Sequence, residues 1–526
     1  MTILLGFKLP VKVALPNLTP WGTISYMSSK PLQGSNLLAA LRLFCLLLIG
    51  LYLAAPLMTE ENAWGIWPVT YLSPVWRWLV AMLVALTLVP PAAEAIIGGL
   101  RTLLDRFHRF AVARVPAAST SRARTVAFLA IALLCLIPFS LFRIVHTRWG
   151  DAYMLVNGIS YSDPALRLTA TWQAPLDVWL HAKLWQAGHA LFGWADAWPA
   201  YRLLSPLAGA VFVYALLRLA DSAGRSRTEK LLIVGLMGTL GTMQLFFGYA
   251  ENYSLAAAGV LVFLWLALET LADRRALWQP ALALAITNGL HPSTIVLDPA
   301  LLYVAWVWGR GRQVDKETRK QSRMGRGWWP VIWQVAWPML AVAGVVVVLM
   351  EASGHGLATL LTTDRPGGGD AHWFVPLTAV STRWEHYTMF SWPHLRDWLN
   401  EQVLTAPVTL GGLVIVGLAL LNRRRTAGQA GQATASTVPS ELVFLLLCTA
   451  LYWLFTWVWN PDYGGQRDWD LFSLAAIPST LLLARLLPRA LPDPGQLAQA
   501  GLMLIAVSAM HTTAWIYQNT VPWEWT

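Results

Sequence analysis

About thirteen apolar stretches, most near the ~20 residues that a helix needs to cross a bilayer, dominate this chain. They lie near 37–57, 75–97, 126–146, 198–219, 230–249, 253–272, 277–290, 293–309, 329–350, 403–421, 441–459, 471–488 and 497–517. In hydrocarbon every backbone N–H and C=O must be satisfied within the protein, so runs of this length fold as packed helices. Of the 526 residues, 56% are hydrophobic and 13% charged, against about 25% charged in soluble domains. The expected fold is an all-α polytopic membrane protein of about 13 transmembrane helices. The short stretches 277–290 and 293–309 predict a tight or re-entrant hairpin between them.

Lysine and arginine set the orientation. The 98–125 segment carries Arg101, Arg106, Arg109, Arg114, Arg122 and Arg124, and the 310–327 segment Arg310, Arg312, Lys316, Arg319, Lys320, Arg323 and Arg326. Shorter loops add Arg225, Arg227, Lys230, Arg274, Arg275 and Arg423 to Arg425. Alternating spans put all of these on one side, which the positive-inside bias makes cytoplasmic. That bias also accounts for the net charge of +10 without a nucleic-acid partner. Cys45, Cys135 and Cys448 sit inside apolar runs, which argues against a disulfide framework or a thiolate metal site. Residues 1–35 lack an apolar core with a small-residue cleavage site and predict a retained cytoplasmic or interfacial tail. The opposite side then collects 58–74, 147–197, 249–252, 288–294, 351–402, 460–470 and the C-terminus.

The acids and histidines near polar motifs fall on that outer face. Asp151 follows the third span directly; it suits a general base, or an interfacial acid paired with Arg148. Residues 172–192 predict an interfacial amphipathic helix, with Pro175 in its first turn and Asp177, His181, Lys183, Gln186 and His189 interrupting the apolar run. Glu251 is flanked by Tyr249 and Tyr253, whose rings could stack on a sugar; the alternative is a helix N-terminal acid. His291, in the polar break Asn288–Thr294, is a candidate ligand-contacting group or a histidine bonded to a backbone carbonyl. The densest stretch is 460–470, with Asp462, Asp468 and Asp470 around Arg467. Arg467 is a natural phosphate fork. Asp462 and Asp468 are candidate oxygen ligands for a divalent cation, Mg or Mn, and Asp470 a candidate helix cap. The 351–402 loop, with His355, Asp364, Arg365, Gly367 to Gly369, Asp370, His372, Trp373, Glu385 and His386, reads as an acceptor or donor site, a lid, or a solvated loop.

Three features, WGDAY at 149–153, APLDVWL at 174–180 and a multi-span body with further polar outer loops, resemble the GT-C superfamily of membrane glycosyltransferases that use polyprenyl-phosphate-linked sugars. The core of the match runs from about 126 to 310, and NPDYGGQRDWDLF at 460–472 adds to it. The resemblance implies three parts: 1–125, a tail, two extra spans and a basic loop; 126–310, the catalytic core with outer loop 147–197; and 311–526, further spans with outer loops 351–402 and 460–470. Those two extra spans before the loop depart from the family pattern. By resemblance Asp151 is the catalytic base of an inverting transfer to an acceptor hydroxyl on a glycan, lipid or protein. Arg467, His291, Glu251, Asp468, Asp470 and Tyr249 are then the expected contacts to donor phosphate and sugar. The implied setting is a bacterial inner membrane, with the N-terminus cytoplasmic and the site facing the periplasm. A transporter or flippase of a lipid-linked glycan, or a lipid-linked glycan polymerase or ligase, is the competing reading; the clustering of charge at one face and the absence of a clear repeat favour the enzyme.

Overall fold

The computed structural model describes residues 34–112, 120–318, 328–360, 372–429 and 438–523. Residues 1–33 of the predicted N-terminal tail, 319–327 of the 310–327 loop, and Asp364, Arg365, Gly367 to Gly369 and Asp370 lie outside them. Among the described residues the regular structure is helical, apart from one isolated bridge between Phe374 and Trp459. Eight segments are long and apolar enough to cross a membrane: Gly34–Leu57, Arg122–Leu141, Trp198–Ala223, Ser254–Leu271, Trp329–Ala352, Ser440–Val458, Trp469–Ala490 and Pro494–Asn519. The chain is an integral membrane protein.

The other five predicted spans are helical too, but not as simple rods. The 75–97 stretch is two helices, Pro74–Leu86 and Pro90–Leu103, meeting at 87°. The 403–421 stretch runs across the break between Trp392–Thr405 and Thr409–Thr426, which meet at 94°. Pro90 and Pro91 in the first case and Pro407 in the second lack the N–H that would continue the ladder. If each bent pair is one span, the total is up to ten. The 230–249 stretch stops as an α-helix at Gly238 and continues as the 3-10 turn Gly241–Phe246. Gly241 there lies against the Leu404 carbonyl with no room for a side chain. The 277–309 region is the helix Trp278–Leu290, the 3-10 turn Pro292–Leu297 and the helix Asp298–Thr318. Thr294 Oγ1 closes the break, within 2.9 Å of the His291 carbonyl and 2.8 Å of Asn288 Oδ1.

One apolar core runs from Leu37 to Trp515. The first helix, Gly34–Ala54, packs on Pro494–Asn519 and Thr409–Gln429, while Ser254–Leu271 packs against Trp198–Ala223 and Trp278–Leu290. A smaller core joins Ala152, Leu155, Val178, Trp185, Tyr201 and Ala250, behind the 147–197 segment.

Several basic segments meet one another in the bundle. Arg124 pairs with Asp221 at 3.1 Å, and Arg274 donates to the Ser222 carbonyl at 3.2 Å. Arg485 and Arg489 both pair with Glu441, and Arg423 donates to the Arg489 carbonyl at 3.4 Å. The more exposed Arg124–Asp221 pair contributes about 0–1 kcal/mol, whereas Arg485 is buried; the value of these contacts here is geometric, since they tie neighbouring basic segments together. The acidic loops meet elsewhere, around Asp151. Leu377 is exposed on the loop that bonds the Asp462 carbonyl through His386, and Arg225 is exposed four residues beyond Asp221. In intact cells an impermeant thiol reagent is expected to label Leu377→Cys and spare Arg225→Cys. The reverse pattern would invert the orientation.

Candidate active site

The turn Arg148–Asp151 is pinned from three directions. Trp149 is buried against Trp515, with its Nε1 donating to Asn519 Oδ1 at 2.6 Å. Gly150 N donates to the Arg467 carbonyl at 2.9 Å, and Asp151 N donates to Glu251 Oε1. Gly150 has φ +48°, the left-handed region where a Cβ is disfavoured. A Cβ there would also run into the Glu251 carboxylate and lie 3.1 Å from Asp470 Oδ2. Arg148 does not pair with Asp151; it bonds Glu60 at 3.0 Å. Asp151 is the residue before the helix Ala152–Ile159, yet its side chain makes no cap. Its carboxylate is left to Tyr463, which hydrogen-bonds it, and to the nearby positive charge of Arg467.

The other acids converge on the same point. Glu251 is buried, and its second oxygen accepts from Asn252 N at 3.2 Å. Asp470 accepts from the Tyr249 hydroxyl at 3.0 Å and from Leu471 N at 2.9 Å. Asp468 accepts from Tyr463 N at 2.8 Å, and the Arg467 guanidinium lies 4.8 Å over the Tyr463 ring. Chain segments about 100 and 300 residues apart in sequence thus build one cluster.

Burial dominates the electrostatics. It raises the Asp151 carboxyl, which the Tyr463 hydrogen bond and Arg467 partly counter. Burial, then Asp470 and Asp151, push Glu251 well above the usual carboxylate range. Burial also raises Asp468 strongly. A carboxyl whose folded pKa exceeds its unfolded value of about 4 holds more protons folded than unfolded between those values. Stability therefore falls as pH rises through that window. Asp468→Asn removes one such charge while its amide oxygen still accepts from Tyr463 N. The wild type is expected to lose unfolding temperature from about pH 4 upward, and the variant to lose less. Equal slopes would remove Asp468 from this account.

Two cavities flank Asp151. One, of about 270 Å³, is lined by Asp151, Gln173, Asn252, Tyr253, His291 and Ser293, with Phe455, Trp459 and Leu471 as apolar wall. Pro292 also lines an adjoining apolar groove of about 410 Å³, bounded by Trp172, Gly289, Ile295, Met339 and Val346. The second cavity, of about 450 Å³, is lined by Thr147, Gly150, Tyr153, Met154, Tyr463 and Arg467.

This geometry changes several expected roles. Tyr249 is 1% exposed and bonded to Asp470, so its ring lies beneath the cavities and offers no face to a sugar. Tyr253 does line the first cavity, 4.6 Å from the His291 ring. Glu251, Asp468 and Asp470 are likewise behind the walls, holding the loops. His291 and Arg467 face different cavities, so they do not share one phosphate. Burial lowers His291 to about 3, so it is neutral. Its Nδ1 accepts from Ser293 N at 3.2 Å, which leaves the proton on Nε2 as a hydrogen-bond donor rather than a cation. In the helix Pro175–Phe192, Asp177 and His181 turn inward and pair at 2.8 Å instead of lining a polar face.

Among the described residues no group of three or more His, Cys, Asp or Glu side chains is placed to hold a metal ion. Asp468 is occupied by Tyr463 N, and Asp462 accepts from Asn460 Nδ2 at 3.2 Å. Asp462 and Asp468, the candidate ligands for Mg or Mn, thus each have one oxygen engaged within the 460–470 loop itself. In the 351–402 loop, His372 and Glu385 pair at 2.8 Å, and His386 bonds the Asp462 carbonyl at 3.0 Å, so the described part packs on the 460–470 loop. Tyr463, Tyr153, Gln173 and Asn252 join the site without having stood out in the sequence. Only the density of polar groups in 460–470 pointed toward Tyr463.

No protein-family model matches the chain, and no curated protein does. Among solved structures it is similar to ArnT from Cupriavidus metallidurans. The apo crystal structure shares 12% identity at a TM-score of 0.38, covering 76% of this chain and 78% of that one. The crystal structure bound to undecaprenyl phosphate shares 13% at 0.40, covering 76% and 79%. A likeness at these scores carries no argument about function.

Proposed function

We propose that the protein is a membrane glycosyltransferase that moves a sugar from a polyprenyl-phosphate-linked donor to an acceptor hydroxyl, with Asp151 as general base. The reading rests on one observation: a half-buried carboxylate with no capping duty that lines a cavity adjoining an apolar groove. The donor's tail occupies the groove and its phosphate and sugar the cavity of His291, Ser293 and Tyr253. The acceptor enters from the side of Tyr153 and Arg467. Asp151 takes the hydroxyl proton as the acceptor oxygen attacks the anomeric carbon, and the bond from that carbon to the phosphate oxygen breaks with inversion. The departing lipid phosphate accepts a hydrogen bond from His291 Nε2, and Ser293 holds the ring by donating to its Nδ1. Preorganised donors at a developing charge are often the largest catalytic term. Burial raises the Asp151 carboxyl, and the Tyr463 hydrogen bond and the Arg467 charge counter that rise.

The test is the purified protein in vesicles with radiolabelled polyprenyl-phosphate sugars and candidate acceptors. Release of lipid phosphate equal to sugar transferred, with an inverted anomer, is the expected result. The rate should fall on the acid side at a pH above that of an ordinary aspartate, because burial raises Asp151. Passage of intact donor across the bilayer without bond cleavage would sink the proposal and favour a transporter.

A further inference from the structure

Two arginines stand side by side where the third and fourth spans meet the end of the bundle that carries Asp151. Arg143 follows the span Arg122–Leu141, and Arg202 lies in the first turns of Trp198–Ala223. The backbone holds them together: Ile144 N donates to the Phe247 carbonyl at 2.8 Å, which sets Arg143 beside Gly248. Gly248 has φ +71°, and a Cβ there would lie 3.0 Å from Arg143 Cβ and 3.6 Å from Arg202 Cγ. A side chain at this position would wedge between the two cations. Burial and the Arg143 charge both act against the charged form of Arg202, and Asp196 acts for it from a distance, without an ion pair. Among the described residues neither guanidinium forms an ion pair or hydrogen bond, and Arg202 Nε is buried without an acceptor. Arg202 instead lies 4.6 Å over the Trp198 ring.

Paired cations with an unsatisfied buried donor call for an anion with several oxygens, and arginine forks suit phosphate best. The surroundings name its carrier. Leu141, Phe142, Leu203 and Leu207 are exposed around the pair, an apolar belt that faces acyl chains, and Trp198 marks head-group depth. We infer that Arg143 and Arg202 form a binding site for the phosphate head group of an anionic phospholipid, seated beside the Gly248–Glu251 loop.

Native mass spectrometry of the full-length protein, titrated with phosphatidylglycerol and with phosphatidylcholine, tests this. The expected result is about tenfold tighter retention of phosphatidylglycerol, the equivalent of one charge-assisted contact. That preference should vanish in Arg143→Gln/Arg202→Gln and largely survive in Arg143→Lys/Arg202→Lys. The two variants should melt alike in phosphatidylcholine, which separates lost binding from lost folding. An undiminished preference in the Gln variant would overturn the site. So would displacement of the phospholipid by inorganic phosphate, which would mark an unselective anion site, or by polyprenyl phosphate at lower concentration, which would assign the arginines to the donor.

Discussion

Asp151→Asn is expected to lower sugar transfer by about 10²–10⁴-fold, the range for loss of a general base, with little change in donor binding. The substitution keeps size, the Asp151 N–H bond to Glu251 and a group that Tyr463 can donate to. It removes the negative charge that faces Arg467 and, with it, the capacity to take a proton. A structural role would show as lowered unfolding temperature and altered affinity; a catalytic one shows as kcat alone. Equal turnover by variant and wild type at saturating donor would dismiss Asp151 as base. The same assay in Glu251→Gln offers a contrast. Glu251 stands behind the walls, so its loss should act through the position of the Asp151 turn and lower stability as well as rate.

Gly150→Ala should do more damage than its one added carbon suggests. The left-handed conformation costs a non-glycine residue about 1–2 kcal/mol, and crowding in a packed site about 1–3 kcal/mol. Here the obstacle is a buried carboxylate already engaged by two backbone N–H groups, so it has little freedom to retreat. The turn must open, and Asp151 moves with it. A displacement near 1 Å in a catalytic group costs about 10²-fold in rate. Thermal unfolding and transfer rate measured together should both fall. Wild-type values for both would mean that the turn is not held as tightly as its bonds to Glu251 and Arg467 indicate.

Much of this was legible because it depends on local pattern. Apolar runs specify helices in hydrocarbon, since no other backbone arrangement satisfies its own polar groups. Arginine and lysine placement sorted the loops into two sets, and the basic set meets at one end through Asp221 and Glu441. The polar motifs around Asp151, Glu251 and 460–470 stood out because charge near a bilayer is costly without a purpose. Run length did not reveal the breaks at Pro90 and Pro407, because hydropathy sums residues without regard to a missing N–H. Nor did it reveal that the 230–249 run ends as a 3-10 turn, which depends on the close passage of Leu404.

Roles within the site belonged to the tertiary structure. Tyr249 and Tyr253 look equivalent in sequence, yet one is sealed under Asp470 and the other lines a cavity. His291 could have been cation or donor; burial and Ser293 N made it a neutral donor. Arg467 and His291 seemed partners for one phosphate and turned out to line different cavities. The sequence by itself determined a helical membrane protein whose dense polar motifs lie in loops apart from the arginine-rich ones, because hydrophobic length and charge bias act residue by residue. Which acid remains free to accept a proton was decided only by folding. A carboxylate's role depends on the N–H groups, rings and charges around it, and those come from distant segments of the chain.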